Sequence, residues 1–157
     1  MTSAASHDVR RAVAADVQDI GRLLHDFNTE FGEHTPGPSA LAERMAGLIA
    51  SGETVVLLGG TRPRGIAVLR FRPSLWREAL ECYLAELYVA PEHRGLGLGQ
   101  ALMEAAIETA RREGADYMDL GTGEDDVAAR ALYEKLGFSN REGRPDGPVN
   151  FFYEREL

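Results

Sequence analysis

The chain has 157 residues, 44% hydrophobic and 27% charged, which is the balance of one ordinary globular domain with a single core. No apolar run approaches the ~20 residues that cross a bilayer, and the lone Cys82 excludes an internal disulfide framework and a cysteine-cluster metal site. A net charge of −8, from 17 Lys and Arg against 25 Asp and Glu, repels nucleic acid and anionic lipid surfaces.

Residues 1–8 have neither a basic start nor an apolar stretch, so a secretory leader is not expected and the cytoplasm is the expected location. Val9 to Val13 reads as a first strand. Asp16 suits the N-cap of a helix through about Glu30, with Val17, Ile20, Leu23, Leu24 and Phe27 on one face. Residues 31–38 are rich in breakers and read as a loop. Ser39 can cap a second helix carrying Leu41, Met45, Leu48 and Ile49, which ends near Gly52.

Beyond that point the period shortens. Residues 54–58 and 65–71 read as two strands of a hairpin around the turn 59–64. A longer strand spans about Ala79 to Val89 and stops at Pro91. From Gly97 to Glu113, Leu102, Met103, Ala106, Ile107 and Ala110 form one helical stripe, and Gly114 suits its C-terminal cap. Tyr117 to Leu120 is a short strand, Asp125 to Leu136 a last helix ending at Gly137, and 138–141 and 149–155 are closing strands. This order predicts an α+β or α/β three-layer domain over residues 1–157, with a mixed central sheet of six to seven strands and about four helices. Residues 79–120 should form a βαβ unit.

Charge is uneven along this order. Residues 1–53 hold 4 cations and 8 anions, and residues 101–157 hold 7 and 13, but residues 54–100 hold 6 and 4. The six cations of that middle segment are all arginines, which suggests a small anionic ligand there.

His93-Arg94-Gly95-Leu96-Gly97-Leu98-Gly99-Gln100 supplies a reason. Its glycines fall where a strand turns into a helix, and a helix N-terminus carries unpaired N–H groups and about half a positive charge. Without Cβ atoms, a phosphate can approach those groups, and Arg94 adds a guanidinium that matches phosphate in bidentate fashion. The stretch reads as a pyrophosphate cradle. A dinucleotide-binding Gly-x-Gly-x-x-Gly would need a third glycine where Gln100 stands, so a nicotinamide-dependent oxidoreductase is disfavoured.

The segment Glu86 to Leu102 resembles the acyl-CoA motif of the GNAT superfamily of N-acetyltransferases, Arg/Gln-x-x-Gly-x-Gly/Ala, through Arg94, Gly97 and Gly99. Ala128 to Phe138 is similar to the second signature of that family, and the order of elements is similar throughout. The resemblance implies an acetyl-CoA-dependent transferase with no metal, acting on a primary amine, possible as a homodimer. It implies that the main chain at Leu87, Tyr88 and Val89 holds the pantetheine arm where two parallel strands splay. The amides of Arg94, Gly95, Leu96, Gly97, Leu98, Gly99 and Gln100 would hold the pyrophosphate, and Tyr133 would act as general acid toward the departing thiolate. Many relatives carry asparagine seven residues before that tyrosine, where this chain has Asp126; an aspartate there can accept a hydrogen bond from the cofactor but not donate one.

An ammonium group of pKa ~10.4 costs about 4–5 kcal/mol to deprotonate at pH 7, so a base is useful. Glu86, in an otherwise apolar strand, is the first candidate, since partial burial raises a carboxylate pKa. Glu33, His34, Glu78 and Glu81 are further candidates, and His93 reads as a solvent-exposed neighbour of the loop. Cys82 reads as a buried thiol, not an acyl carrier. The loop 31–38, the first two helices and residues 72–77 around Trp76 are expected to shape the acceptor pocket. Acidic flanks favour a cationic amine, such as a polyamine, an aminoglycoside or a lysine or N-terminal peptide amine. A non-catalytic acyl-CoA-binding or sensing module on the same fold is the alternative.

Overall fold

Three strands rich in Val, Leu and Ile and a short strand before them are the starting material of the fold. In the computed structural model, which describes residues 7–157, they pair as β1 (Val9–Arg11), β2 (Thr54–Gly59), β3 (Gly65–Pro73) and β4 (Leu80–Val89). A fifth strand, β5 (Ala115–Asp119), completes the order β1-β2-β3-β4-β5. Pairing is antiparallel except between β4 and β5, which run parallel and are joined through α3 (Leu98–Arg112) as the expected βαβ unit. The sheet is therefore mixed. The expectation about a leader falls mostly on residues 1–6, outside the described residues.

All six residues of β2 are buried, because helices cover both faces of the sheet. On one face α1 (Val17–Glu30) and α2 (Pro38–Ala50) bury Ile20, Leu23 and Met45 against Val56, Leu58, Ile66, Val68 and Tyr88. The alternate residues of β2 and β3 face α3, where a Cβ on Gly59 or Gly65 would collide with Leu98 or Leu102. Burying such side chains is worth about 1.5–3 kcal/mol each relative to exposure.

Helix starts differ from expectation in two places. Asp16 precedes α1 but makes no cap bond there; its carboxylate takes both Nη atoms of Arg10 at 2.8 Å and the Val13 N–H at 2.8 Å. The Arg10 guanidinium, helped by that N–H, holds Asp16 down to about 2. An arginine pair offers a carboxylate more than a helix N-terminus does, so the side chain turns back toward β1. In α2 the start is Pro38 after Gly37, not Ser39, since proline suits the first helical position.

The chain divides into two compact units, the first ending at Asp119 and the second running Leu120–Leu157. The second unit contains α4 (Val127–Lys135) and the turn after it, in which Phe138 N–H returns to Tyr133 O at 3.0 Å. The closing strands expected at 138–141 and 149–155 do not form among the described residues. A single antiparallel bridge, Arg141 to Val149, stands in their place. Across it Glu142 N–H bonds Pro148 O at 2.9 Å and Asn150 N–H bonds Asn140 O at 2.7 Å, but Phe138 N–H is spent on Tyr133 O and Arg141 N–H on Ser139 Oγ, and Pro148 has no N–H to give a ladder. Among the described residues the sheet consequently has five strands where six to seven were expected.

Candidate active site

Three features of the first unit converge around β4. The first is the turn into α3. Pro91–His93 forms a 3-10 turn, and Gly97, the N-cap of α3, has φ +89°, where an L side chain is strained. A Cβ on Gly97 would also stand 3.1 Å from Nε2 of His7, whose ring holds Leu96 O at 2.6 Å. The N–H groups of Gly95, Leu96, Gly97, Leu98 and Gly99 make no hydrogen bond to another described residue. Free N–H groups, no Cβ and a fifteen-residue helix behind them suit an anion, so these residues fit the pyrophosphate of a CoA thioester.

The second feature is an open strand edge. The ladder between β4 and β5 runs from Leu80 to Tyr83 and stops at Tyr83 opposite Asp119. Leu87, Tyr88 and Val89 pair only on their other edge, with Ala67, Ile66 and Gly65. Apart from Val89 O, which accepts from Arg94 Nε, the outer main-chain edge of this stretch is thus available to an extended ligand.

The third feature is the placement of Glu86. On β3 consecutive Val68 and Leu69 face opposite sides, and their partners on β4 are Glu86 and Leu84. Ala85 is the extra residue of a bulge. In a regular strand Cys82, Leu84, Glu86 and Tyr88 would all share one face. The bulge sends Leu84 to one side and Glu86 with Tyr88 to the other, against α1 and α2.

There Glu86 borders a cavity of about 180 Å³. Helix α1 supplies Leu24 and Asn28 to its wall, and α2 supplies Leu41, Met45 and Leu48. From the sheet come Val68, Arg70 and Ala85. Burial in this largely apolar wall pushes the Glu86 carboxyl above the usual carboxylate range. A carboxylate so placed can take a proton from a bound amine.

Other candidates fall differently. Arg94 is committed: its Nη2 binds both Glu30 oxygens at 2.9 and 2.8 Å, and its Nε binds Val89 O at 2.9 Å. Its guanidinium carbon lies 5.6 Å from the Tyr88 ring centroid, and the Tyr88 hydroxyl also donates to Glu30 at 3.3 Å. Arginine 94 therefore braces the end of β4 to the end of α1. Gln100 donates its side-chain amide to Glu104 at 2.9 Å. Glu81 is paired with Arg72 at 2.8 Å, and Glu33, His34 and Glu78 are exposed. Residues 31–38 and 72–77 do not border the cavity; Trp76 is 85% exposed. His93 is half-buried, 3.9 Å from a Glu92 carboxylate oxygen, not solvent-exposed as expected. Cys82 is fully buried and its thiol is pushed up to about 12, so it is inert at neutral pH.

In the second unit Tyr133 is buried on α4, with the Phe138 ring edge-on at 6.0 Å. Burial, together with the nearby Asp126 charge, pushes its hydroxyl to about 12. Asp126 caps α4, accepting the Ala129 N–H at 3.2 Å. Sequence reasoning missed Asn28, Glu30 and Arg70. The alternation of β3 could have flagged Arg70, a charge at the end of an apolar run, but nothing local marks the other two.

Comparison with known proteins gives a consistent result. The profile of the Acetyltransferase (GNAT) family matches residues 18–138. A crystal structure assigned to an acetyltransferase from Arthrobacter sp. FB24 is similar at 42% identity and a TM-score of 0.88, covering 100% of both chains. The uncharacterized N-acetyltransferase YhfO of Bacillus subtilis is 25% identical over 138 residues, 87% of this chain and 92% of its own. The uncharacterized N-acetyltransferase MJ1207 of Methanocaldococcus jannaschii is 38% identical over 66 residues, 42% of this chain. That match spans 28% of the length of MJ1207.

Proposed function

The chain belongs to the acetyltransferase (GNAT) family, and from this premise we propose that it transfers acetyl from acetyl-CoA to a primary amine of a small molecule or peptide, by direct attack in a ternary complex. The observation that carries the reading is the meeting, along β4, of an open main-chain edge, a glycine cradle and Glu86 in a cavity.

In this reading acetyl-CoA supplies a thioester already activated toward nucleophiles. The N–H groups from Gly95 to Gly99 hold the pyrophosphate, and the edge at Leu87 to Val89 holds the pantetheine arm. A backbone N–H of that edge donates to the thioester carbonyl, where negative charge develops. Arg94, occupied by Glu30 and Val89, orients the loop more than it contacts phosphate. Glu86 accepts the proton that the ammonium must lose before nitrogen attacks the carbonyl carbon. As the carbon–sulfur bond breaks, the electron pair goes to sulfur. The family resemblance gives the donor there as Tyr133, and a hydroxyl held near 12 stays protonated at every working pH. Cys82 takes no part, which leaves one direct transfer.

The test is a thiol-release assay with acetyl-CoA and a panel of primary amines. Amine-dependent release of CoA thiol is expected. Tight CoA binding with no release across the panel would instead favour an acyl-CoA-binding module on the same fold.

A further inference from the structure

A second charged group that the transfer chemistry does not use, Arg70, lines the open cavity beside Glu86 and is itself exposed to solvent. Arg70 lies two residues beyond Val68 on β3, so it shares the face on which Val68 stands opposite Glu86. Two strand residues span about 7 Å, which sets the guanidinium stem that far along the sheet from Glu86. Other arginines of the sheet region are paired: Arg72 with Glu81, Arg77 with Asp116 and Arg94 with Glu30. Arg70 makes no ion pair or hydrogen bond with another described residue. Apart from Arg70, Glu86 and Asn28 the wall of the cavity is apolar, with Leu24, Leu41, Met45 and Leu48 from the helices.

The cavity is also small. At about 180 Å³ it lies below the ~300–1,000 Å³ usual for drug-sized ligands, so its inner part suits one compact group. A polyamine would bring a second cation toward Arg70. An anion a few bonds from the amine would instead meet a free guanidinium, whose fork matches a carboxylate. Asn28 at the same wall already donates one amide N–H to His34 O at 2.7 Å and has a second for a carboxylate lone pair.

We propose that the acceptor is a small α-amino acid with an apolar side chain, its amine at Glu86, its carboxylate at Arg70 and its side chain against α1 and α2. The proposal rests on the acetyltransferase reading above and deepens it. The acidic flanks of the chain then act on solubility and encounter, whereas the pocket itself selects for an anion beside the amine.

The experiment compares L-leucine, L-leucinamide, isoamylamine and spermidine by two readouts on the full chain. One is acetyl-CoA-dependent thiol release; the other is calorimetric binding to the CoA-loaded protein. Leucine is expected to show a KM and a Kd at least about tenfold below those of leucinamide and isoamylamine, the range of a charge-assisted bidentate bond. In Arg70→Gln the ratio between leucine and leucinamide is expected to fall to about one. Arg70→Lys should restore part of it, since the charge returns without the fork. Leucine that binds with this preference yet releases no thiol upholds the pocket and overturns catalysis. Spermidine or leucinamide preferred over leucine, or a leucine preference unchanged in Arg70→Gln, overturns the amino-acid assignment while thiol release upholds the transferase.

Discussion

Glu86 is half-buried in a largely apolar wall, where water solvates its charge less well than at the surface. Its raised pKa means the native state holds that proton more tightly than the unfolded chain does. The associated stability is complete below the ordinary carboxylate range and is lost as pH rises through the raised value. Glu86→Gln should therefore raise the melting temperature at pH ~7 and leave it unchanged near pH ~3. The same variant should lower kcat/KM by about 10²-fold or more and remove the acidic limb of its pH profile. Scanning calorimetry and steady-state rates at several pH values check both; a wild-type rate would retire Glu86 as the base. Tyr133 is the complementary case, an acid kept neutral by burial. Tyr133→Phe should lower kcat by about 10²-fold while CoA affinity, by calorimetry, shifts only a few-fold.

Two local departures from regular structure decide what β4 and α3 can do. Ala85 reverses the facing of every residue after it, and without that residue Glu86 and Tyr88 would point at α3. Gly97 reverses the backbone so that five successive N–H groups precede or open the helix. Gly97→Val places a β-branched side chain at φ +89° and against the His7 ring, a strain of about 1–3 kcal/mol. The expected result is at least a tenfold loss of CoA affinity by calorimetry with an unchanged far-ultraviolet circular dichroism spectrum. Wild-type affinity would refute the cradle. The helices and strands around these points were legible in periodicity alone, to within a few residues. The bulge was not, because an alanine in an apolar strand looks the same in register or out of it. Nor was the commitment of Arg94 to Glu30, 64 positions away, since an arginine beside a glycine loop reads as a phosphate ligand until its partner is seen.

For the whole molecule the net charge of −8 would oppose an anionic ligand, and the binding site depends on local fields overriding it. Backbone N–H groups at the start of α3 provide such a field at short range. Selective ligation should appear as stabilisation: at 100 times Kd a ligand adds about 2.7 kcal/mol. CoA is expected to raise the melting temperature by several degrees and NAD, which needs a different glycine pattern, to leave it unchanged. A shift with NAD and none with CoA would overturn the family-based reading of the loop.

The sequence by itself determined the elements up to the last helix, the mixed sheet, the glycine turn and the family, because each depends on residues adjacent in the chain or on a fixed short spacing. Hydrophobic periods of two and 3.6, breakers between them and a motif of six positions survive without knowledge of packing. The tertiary structure decided what depends on residues distant in sequence and near in space. It turned Glu86 toward α1 and α2, left Arg70 without a counter-ion among the described residues beside the same cavity, and tied Arg94 to Glu30. Among the described residues it also reduced the two closing strands to one bridge, because Phe138 N–H is spent on Tyr133 O and Arg141 N–H on Ser139 Oγ. Side-chain pattern proposes a strand, but a ladder forms only where main-chain donors remain to be paired.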